Sequence, residues 1–293
     1  VNTILLTGKN GQVGWELQRT LMPLGKVVAL DADDLDLANP DAIRQTVKSI
    51  RPDIIVNPAA YTSVDKAESE PELAYAVNGI APGILAEEAQ YQNALVVHYS
   101  TDYVFDGTKT GAYTESDRPN PQNVYGRSKL AGEEALRAVG GRHLILRTSW
   151  VYGSRGHNFM LTMLRLACER KVLRIVDDQI GAPTWSRSLA EVTAQILAQL
   201  YGPGMQKAAD EASGTYHLTS SGNASWHGFA AEILRQAGVQ PMPQLVAIAS
   251  HEYPTPAARP KNSVLSSEKL NRTFGLEAGD WRDNLRLCLQ EMK

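Results

Sequence analysis

Short apolar runs alternate with stretches of helical periodicity along the first half of the chain. Thr3-Ile4-Leu5-Leu6-Thr7, Lys26-Val27-Val28-Ala29-Leu30, Asp53-Ile54-Ile55-Val56-Asn57, Ala94-Leu95-Val96-Val97-His98 and His143-Leu144-Ile145-Leu146-Arg147 are near-continuous runs of strand length. A strand that is apolar throughout is covered on both faces, as in a parallel sheet. Between them Ile43, Val47 and Ile50 recur at the spacing of one helix face, as do Val77, Ile80 and Ile84. The alternation predicts an α/β fold: right-handed βαβ units in a doubly wound parallel sheet of Rossmann type, with a second, smaller α/β domain.

Beyond Trp150 the rhythm changes. A helix is predicted around Phe159 to Cys168, then a turn-rich stretch from Asp177 to Pro183, then a helix with Leu189, Val192, Ile196 and Leu200 on one face. Gly202-Pro203-Gly204 and the segment to Gly214 read as a surface loop, and Tyr216-His217-Leu218-Thr219 as one more strand of the first sheet. Prolines gather from Ser220 onward, and the closing helix carries Trp281, Leu285, Cys288, Leu289 and Met292. Cys168 and Cys288 fall on apolar helix faces and are expected in the core. The expected division is 1–150 plus about 184–219 for the sheet domain, and about 151–183 and 220–293 for the smaller one.

Composition narrows the function classes. The 293 residues are 43% hydrophobic and 21% charged, which excludes a disordered or fibrous chain. Twenty-nine basic against 32 acidic residues leave a net charge of -3, with no cationic excess for nucleic acid or an anionic membrane surface. No apolar run approaches the ~20 residues of a membrane span. Val1-Asn2-Thr3 carries no charged leader, and two cysteines cannot build a disulfide framework. The expectation is a cytoplasmic enzyme.

Thr7-Gly8-Lys9-Asn10-Gly11-Gln12-Val13-Gly14 follows the first strand and opens a helix. Glycines in such a turn permit the tight bend, the approach of backbone to a pyrophosphate, and close packing of helix on sheet. The helix N-terminus offers unpaired N–H groups to the phosphates. Asp31, ending the second strand, is placed to accept from adenosine ribose hydroxyls and would repel a 2′-phosphate unless a cation such as Lys9 intervenes. NADH suits that arrangement, and NADPH remains open.

Tyr125 and Lys129 lie one helical turn apart on one face. A neighbouring ammonium stabilises a phenolate, so the pair is expected to ease proton transfer to a developing alkoxide. Thr101, in Ser100-Thr101-Asp102 at the end of the fourth strand, is placed to polarise a substrate carbonyl.

In this order the glycine turn, the strand-end hydroxyl and Tyr-xxx-Lys resemble the extended short-chain dehydrogenase/reductases. Val64-Asp65-Lys66-Ala67-Glu68, Ser100-Thr101-Asp102-Tyr103-Val104-Phe105, Arg147-Thr148-Ser149-Trp150-Val151-Tyr152, Asp178-Gln179-Ile180-Gly181-Ala182-Pro183 and Ala258-Arg259-Pro260 are similar to their dTDP-4-dehydrorhamnose reductase branch, nearly end to end. The resemblance implies hydride transfer from NADH or NADPH to C4 of a dTDP-4-dehydro-6-deoxy-sugar. Tyr125 would be the general acid, Lys129 the group holding the nicotinamide ribose, and Thr101 the one positioning the ketone.

By the same mapping Gly8, Gly11, Gln12, Val13 and Gly14 meet the cofactor phosphates, and Asp31, Asp36 and Leu37 the adenosine side. Ala60, Tyr61, Thr62 and Tyr99 line the cofactor further along. Asp102 and Trp150 are implied as substrate contacts, and Arg259 as a clamp for the diphosphate of the dTDP-sugar. Two positions depart from the pattern. Pro58 replaces the usual alanine and removes an N–H. Some relatives form homodimers bridged by a divalent ion such as Mg2+ on acidic side chains, to which Glu16 would contribute, but the cation Arg187 opposes such a bridge here. Two rivals stay open: a nucleotide-sugar epimerase or dehydratase, and a non-catalytic regulatory subunit like that of methionine adenosyltransferase.

Overall fold

The computed structural model describes residues 2–201 and 206–292. Strands β1 (Asn2–Leu6), β2 (Gly25–Ala29), β3 (Ile54–Asn57), β4 (Leu95–Thr101) and β5 (His143–Thr148) belong to the central sheet. The short β6 (Val151–Tyr152), β7 (Val172–Val176), β8 (Ile180–Gly181) and β9 (Thr184–Trp185) lie outside it, and β10 (Gly214–His217) returns to it. The spatial order is β10-β5-β4-β3-β1-β2, parallel throughout. Strand order reverses between β1 and β3, so a crevice opens at their carboxyl ends, where such sheets bind ligands.

Helices cover both faces, as the apolar strands require. α1 (Gln12–Thr20), α2 (Pro40–Ile50), α3 (Val64–Ala67), α4 (Pro71–Tyr75), α5 (Ala81–Tyr91) and α6 (Val124–Val139) fill the first half. α7 (Phe159–Glu169), α8 (Ser186–Leu200) and α9 (Gln206–Glu211) follow, then β11 (Ala224–Ser225), α10 (Trp226–Ala237), β12 (Gln244–Ile248), α11 (Glu268–Phe274) and α12 (Trp281–Gln290). Alternation along β1 feeds two cores: Ile4 and Leu6 pack with Leu17 of α1 and Leu189 of α8, while Leu5 packs with Ile43, Leu85 and Leu136 of α2, α5 and α6. A third core joins Met160, Leu173, Phe229, Trp281 and Leu285 of α7, β7, α10 and α12. α11 sends Leu270 and Phe274 into the core of the sheet instead. No helix among the described residues is long and apolar enough to cross a membrane.

Several expectations need correction. Ile80 is 55% exposed, because residues 76–80 form a π-helical turn whose extra residue rotates it off the buried face. Cys288 is buried, but Cys168 is exposed near the end of α7. The segment read as loop up to Gly214 contains α9, and Met292 falls beyond α12, partly exposed. Gly202-Pro203-Gly204 lies outside the described residues.

Candidate active site

The turn after β1 is built for close approach. Gly8 is left-handed (φ 58°), and a Cβ on Gly14 would sit 2.0 Å from the Gly8 carbonyl oxygen. Gly11 caps α1 without any side-chain bond, so the first amides of the helix face the crevice unpaired. A loop covers this end. Asn158 donates through Nδ2 to Gln12 Oε1 at 2.8 Å and to the Gly153 carbonyl at 2.9 Å.

From the glycine turn a cleft of about 620 Å³ runs to Tyr125 and Lys129. It is lined by every residue assigned from sequence to the cofactor: Gly8, Gly11, Gln12, Val13, Gly14, Asp31, Asp36, Leu37, Ala60, Tyr61, Thr62, Tyr99, Tyr125 and Lys129. Pro58 lines it too, and so do Ser100, Thr148, Gly156 and His157, which the sequence analysis did not single out. Beside Asp31, Lys9 is held by Asp34 (Nζ to Oδ2, 2.5 Å), whose carboxylate also accepts from the Asp31 amide. That hydrogen bond, with the nearby acids, raises the Lys9 pKa.

Tyr125 is placed by a capped helix. Asn123 Oδ1 accepts from the Gly126 amide at 2.7 Å, and Glu68 accepts from the Val124 amide at 2.7 Å. Residue 126 must be small, since a Cβ there would meet the Tyr103 carbonyl oxygen at 2.2 Å. Asn78 ties α6 to the cleft wall at Tyr61: it accepts from the Tyr61 amide (2.8 Å) and donates to the Tyr61 carbonyl (3.0 Å) and the Ser128 hydroxyl (3.1 Å).

The Lys129 ammonium does not touch the phenol as one-turn spacing suggested. Nζ donates to the Tyr99 carbonyl at 2.6 Å and lies 3.2 Å from His98 Nε2. Burial lowers the lysine pKa to about 8. Tyr125, in contrast, is pushed up to about 12 by burial. This corrects the expectation of a phenol acidified by its lysine. The raised value still suits an acid, since the phenol stays protonated across the neutral range.

The remaining candidates lie outside the cleft lining, and some border its Tyr125 end. Thr101 donates its hydroxyl to Asp102 Oδ1 at 2.9 Å and accepts from the Tyr103 amide, so its proton is already engaged. Burial raises the Asp102 pKa to about 6, so this carboxyl is partly protonated near neutrality. Tyr103 meets Tyr125 edge to face, centroids 5.7 Å apart, and the Arg259 guanidinium lies 5.9 Å from the Tyr103 centroid. Arg259 is prepaired, donating to Asp65 Oδ2 at 2.7 Å and to the Ala257 carbonyl. Trp150 is left-handed (φ 46°) and stacks on Trp226 with centroids 3.5 Å apart. A bulky residue at positive φ is strained and persists only where its surroundings enforce it. Arg187 is bound to Glu191 and Glu291, and burial, then Glu291, raises the Glu16 pKa. Among the described residues no group of three His, Cys, Asp or Glu side chains is arranged to hold a metal.

Known proteins resemble this chain along nearly its whole length. The family model described as RmlD substrate binding domain matches residues 2–293. A dTDP-4-dehydrorhamnose reductase of Burkholderia thailandensis is 50% identical, covering 99% of this chain and 98% of that protein. The chain belongs to the dTDP-4-dehydrorhamnose reductase family. Another reductase of the family, from Salmonella typhimurium, is 48% identical over 99% of this chain and 97% of its own length. The crystal structure of the Bacillus anthracis reductase in complex with NADP superposes with a TM-score of 0.90 at 36% identity, covering 99% of both chains.

Proposed function

We propose that the protein reduces the C4 ketone of dTDP-4-dehydro-6-deoxy-L-mannose to give dTDP-L-rhamnose, with NADH or NADPH as reductant. One observation carries the reading: a protonated phenol, Tyr125, closes the far end of a cleft whose near end is a phosphate-binding turn. The unpaired amides of α1, the space kept at Gly14 and the carboxylate of Asp31 fit a dinucleotide. When bound, the nicotinamide supplies a hydride to the carbonyl carbon. Tyr125 gives its proton to the oxygen that becomes an alkoxide, and Lys129 directs an N–H toward the ribose. Thr101 and Asp102 hold the sugar from the β4 end. Arg259, steadied by Asp65, faces the diphosphate, and Trp150 packs on the sugar side. Mg2+ is not assigned a role, because Arg187 already pairs with both Glu191 and Glu291.

The separate core around Phe229 and Trp281 supports reading about 151–183 and 220–293 as a substrate-side domain, with α11 lodged on the sheet. A dehydratase needs a second acid after the strand-end Asp, and here Tyr103 takes that place, packed on Tyr125. The test is to follow absorbance loss of NADH and of NADPH with dTDP-4-keto-6-deoxy sugars of both C5 configurations. One reduced cofactor consumed per L-sugar supports the reading. Isomerisation without consumption would make the protein an epimerase, and inertness with tight cofactor binding would make it a binding subunit.

Two further outcomes follow. With Lys9 locked to Asp34 beside Asp31, the adenosine end repels a 2′-phosphate, so kcat/KM is expected to be higher for NADH. Asp34→Asn, freeing Lys9, is expected to move the ratio toward NADPH. In addition, a Lys129 pKa near 8 means that the ammonium is present below that pH and lost above it. A pH profile of kcat/KM for cofactor, which reports the free enzyme, should fall as pH rises through about 8.

A further inference from the structure

We propose that His98 is a positioning residue for Lys129, holding one of its N–H bonds so that another is aimed into the cleft. The inference rests on the role given to Lys129 above. His98 ends the apolar Leu95-Val96-Val97 run of β4 and is fully buried in the sheet. A buried imidazole is costly unless both nitrogens find partners, and here both do. Nδ1 lies 3.1 Å from the side-chain amide of Asn57, Nε2 lies 3.2 Å from Lys129 Nζ, and the Thr7 hydroxyl bonds the same amide at 2.6 Å. Thr7 and Asn57 stand at the ends of β1 and β3, where the strand order reverses. A chain of polar groups therefore links the phosphate turn, through two strand ends and β4, to the catalytic helix.

The direction of the bonds follows from the lysine. An ammonium carries three N–H donors and no acceptor. With the Tyr99 carbonyl taking one and His98 the second, the third is left for the cleft. His98 Nε2 must then be unprotonated and the ring proton must sit on Nδ1. With Asn57 Nδ2 toward the ring, both nitrogens would face donors, which a neutral imidazole cannot serve. A half-turn of the Asn57 amide brings its oxygen to Nδ1–H and its NH2 to the Thr7 oxygen, so that each ring nitrogen meets a partner of the right kind. Burial, then the Lys129 charge, holds the ring neutral, with its pKa well below the usual value. The charged groups near this end of α6 are Lys129 and, one turn on, Glu133, which is itself paired with Arg147 of β5 and Arg137 of α6.

The experiment reads cofactor binding without sugar, so it does not depend on the substrate assignment. NADH affinity is titrated against pH for the wild type, His98→Leu and His98→Gln, with thermal unfolding as a check of folding. His98→Leu is expected to weaken binding about ten- to hundredfold, the loss of one hydrogen bond to a charged group, and to move the alkaline limb to lower pH. His98→Gln, whose amide oxygen replaces the acceptor, is expected to restore most of both. In ¹⁵N-histidine spectra the wild-type ring should be the Nδ1–H tautomer, which also covers the case of a leucine variant that does not fold. A folded His98→Leu with wild-type affinity and limb, or an Nε2–H ring, would overturn the proposal. Wild-type protein that binds NADH but reduces no sugar would reject the proposed reaction and leave this test standing.

Discussion

Tyr125→Phe is expected to reduce kcat by about 10²- to 10⁴-fold, the usual range for removing a positioned general acid, while leaving the Kd for NADH within a few-fold of wild type. The hydroxyl is the one group lost. The ring stays packed edge to face on Tyr103, and the helix stays capped by Asn123. With the phenol pushed up to about 12, the proton is in place throughout the neutral range, so the wild-type reductive rate should show no alkaline fall from this residue there. The oxidative direction differs, because it needs the tyrosinate, and its rate should climb with pH while the reductive rate does not. Stopped-flow reduction at saturating sugar and cofactor, with Kd measured by fluorescence, separates proton transfer from binding. Comparable kcat in the variant would remove the proton-donor assignment and return the choice to Asp102, whose carboxyl, at about 6, is the other acid nearby.

The parallel sheet was legible because five apolar runs leave no face for water, and the glycine turn because Gly14 leaves no room for a side chain. Spacing placed Tyr125 and Lys129 on one helix face but did not show where the lysine ends. Helical periodicity fixes where a side chain begins, whereas the tip of a four-carbon stem goes to whichever acceptors the neighbouring strand supplies. Here these are the Tyr99 carbonyl and His98, and His98 had been read simply as the end of an apolar strand. The loop that joins Asn158 to Gln12 had no signal at all, since the two residues are 146 positions apart. Ile80 was misplaced for a local reason: a π turn changes the angle per residue, so a pattern counted at 3.6 drifts off the core. Cys168 failed because hydrophobic character alone does not bury the last turn of a helix. The residues assigned from sequence to the substrate were the least legible. Arg259 is positioned by Asp65, 194 residues away, and Trp150 by a stack on Trp226.

Arg147→Met is expected to destabilise the fold by about 3 kcal/mol, the low end of the cost of breaking a buried ion pair, because Glu133 then keeps only the more exposed Arg137, whose Nη1 lies 3.2 Å from Oε2. Glu133 and Arg147 are both buried and meet through two bonds, Nε to Oε1 at 2.8 Å and Nη2 to Oε2 at 2.6 Å. The Ser100 hydroxyl adds a third at 2.6 Å, which ties the pair to the end of β4, next to Thr101. Burial by itself would raise the Glu133 pKa, but the bonds and charge of Arg147, with Ser100, outweigh it and hold the carboxyl below its ordinary value. A carboxylate depressed in the folded state stabilises the fold above the unfolded pKa of 4.5, and that contribution is lost as pH falls below it. Urea unfolding of wild type and variant at neutral pH should therefore show the full difference. The gap should narrow in acid, because the wild type loses the ion pair that the variant already lacks. A double change, Arg147→Met with Glu133→Leu, removes both charges and is expected to recover most of the stability, yet it also takes away the acceptor that orients Ser100. If recovered stability comes without recovered turnover, the ion pair serves the geometry of the β4 end; if both return, its role is confined to holding the sheet to α6.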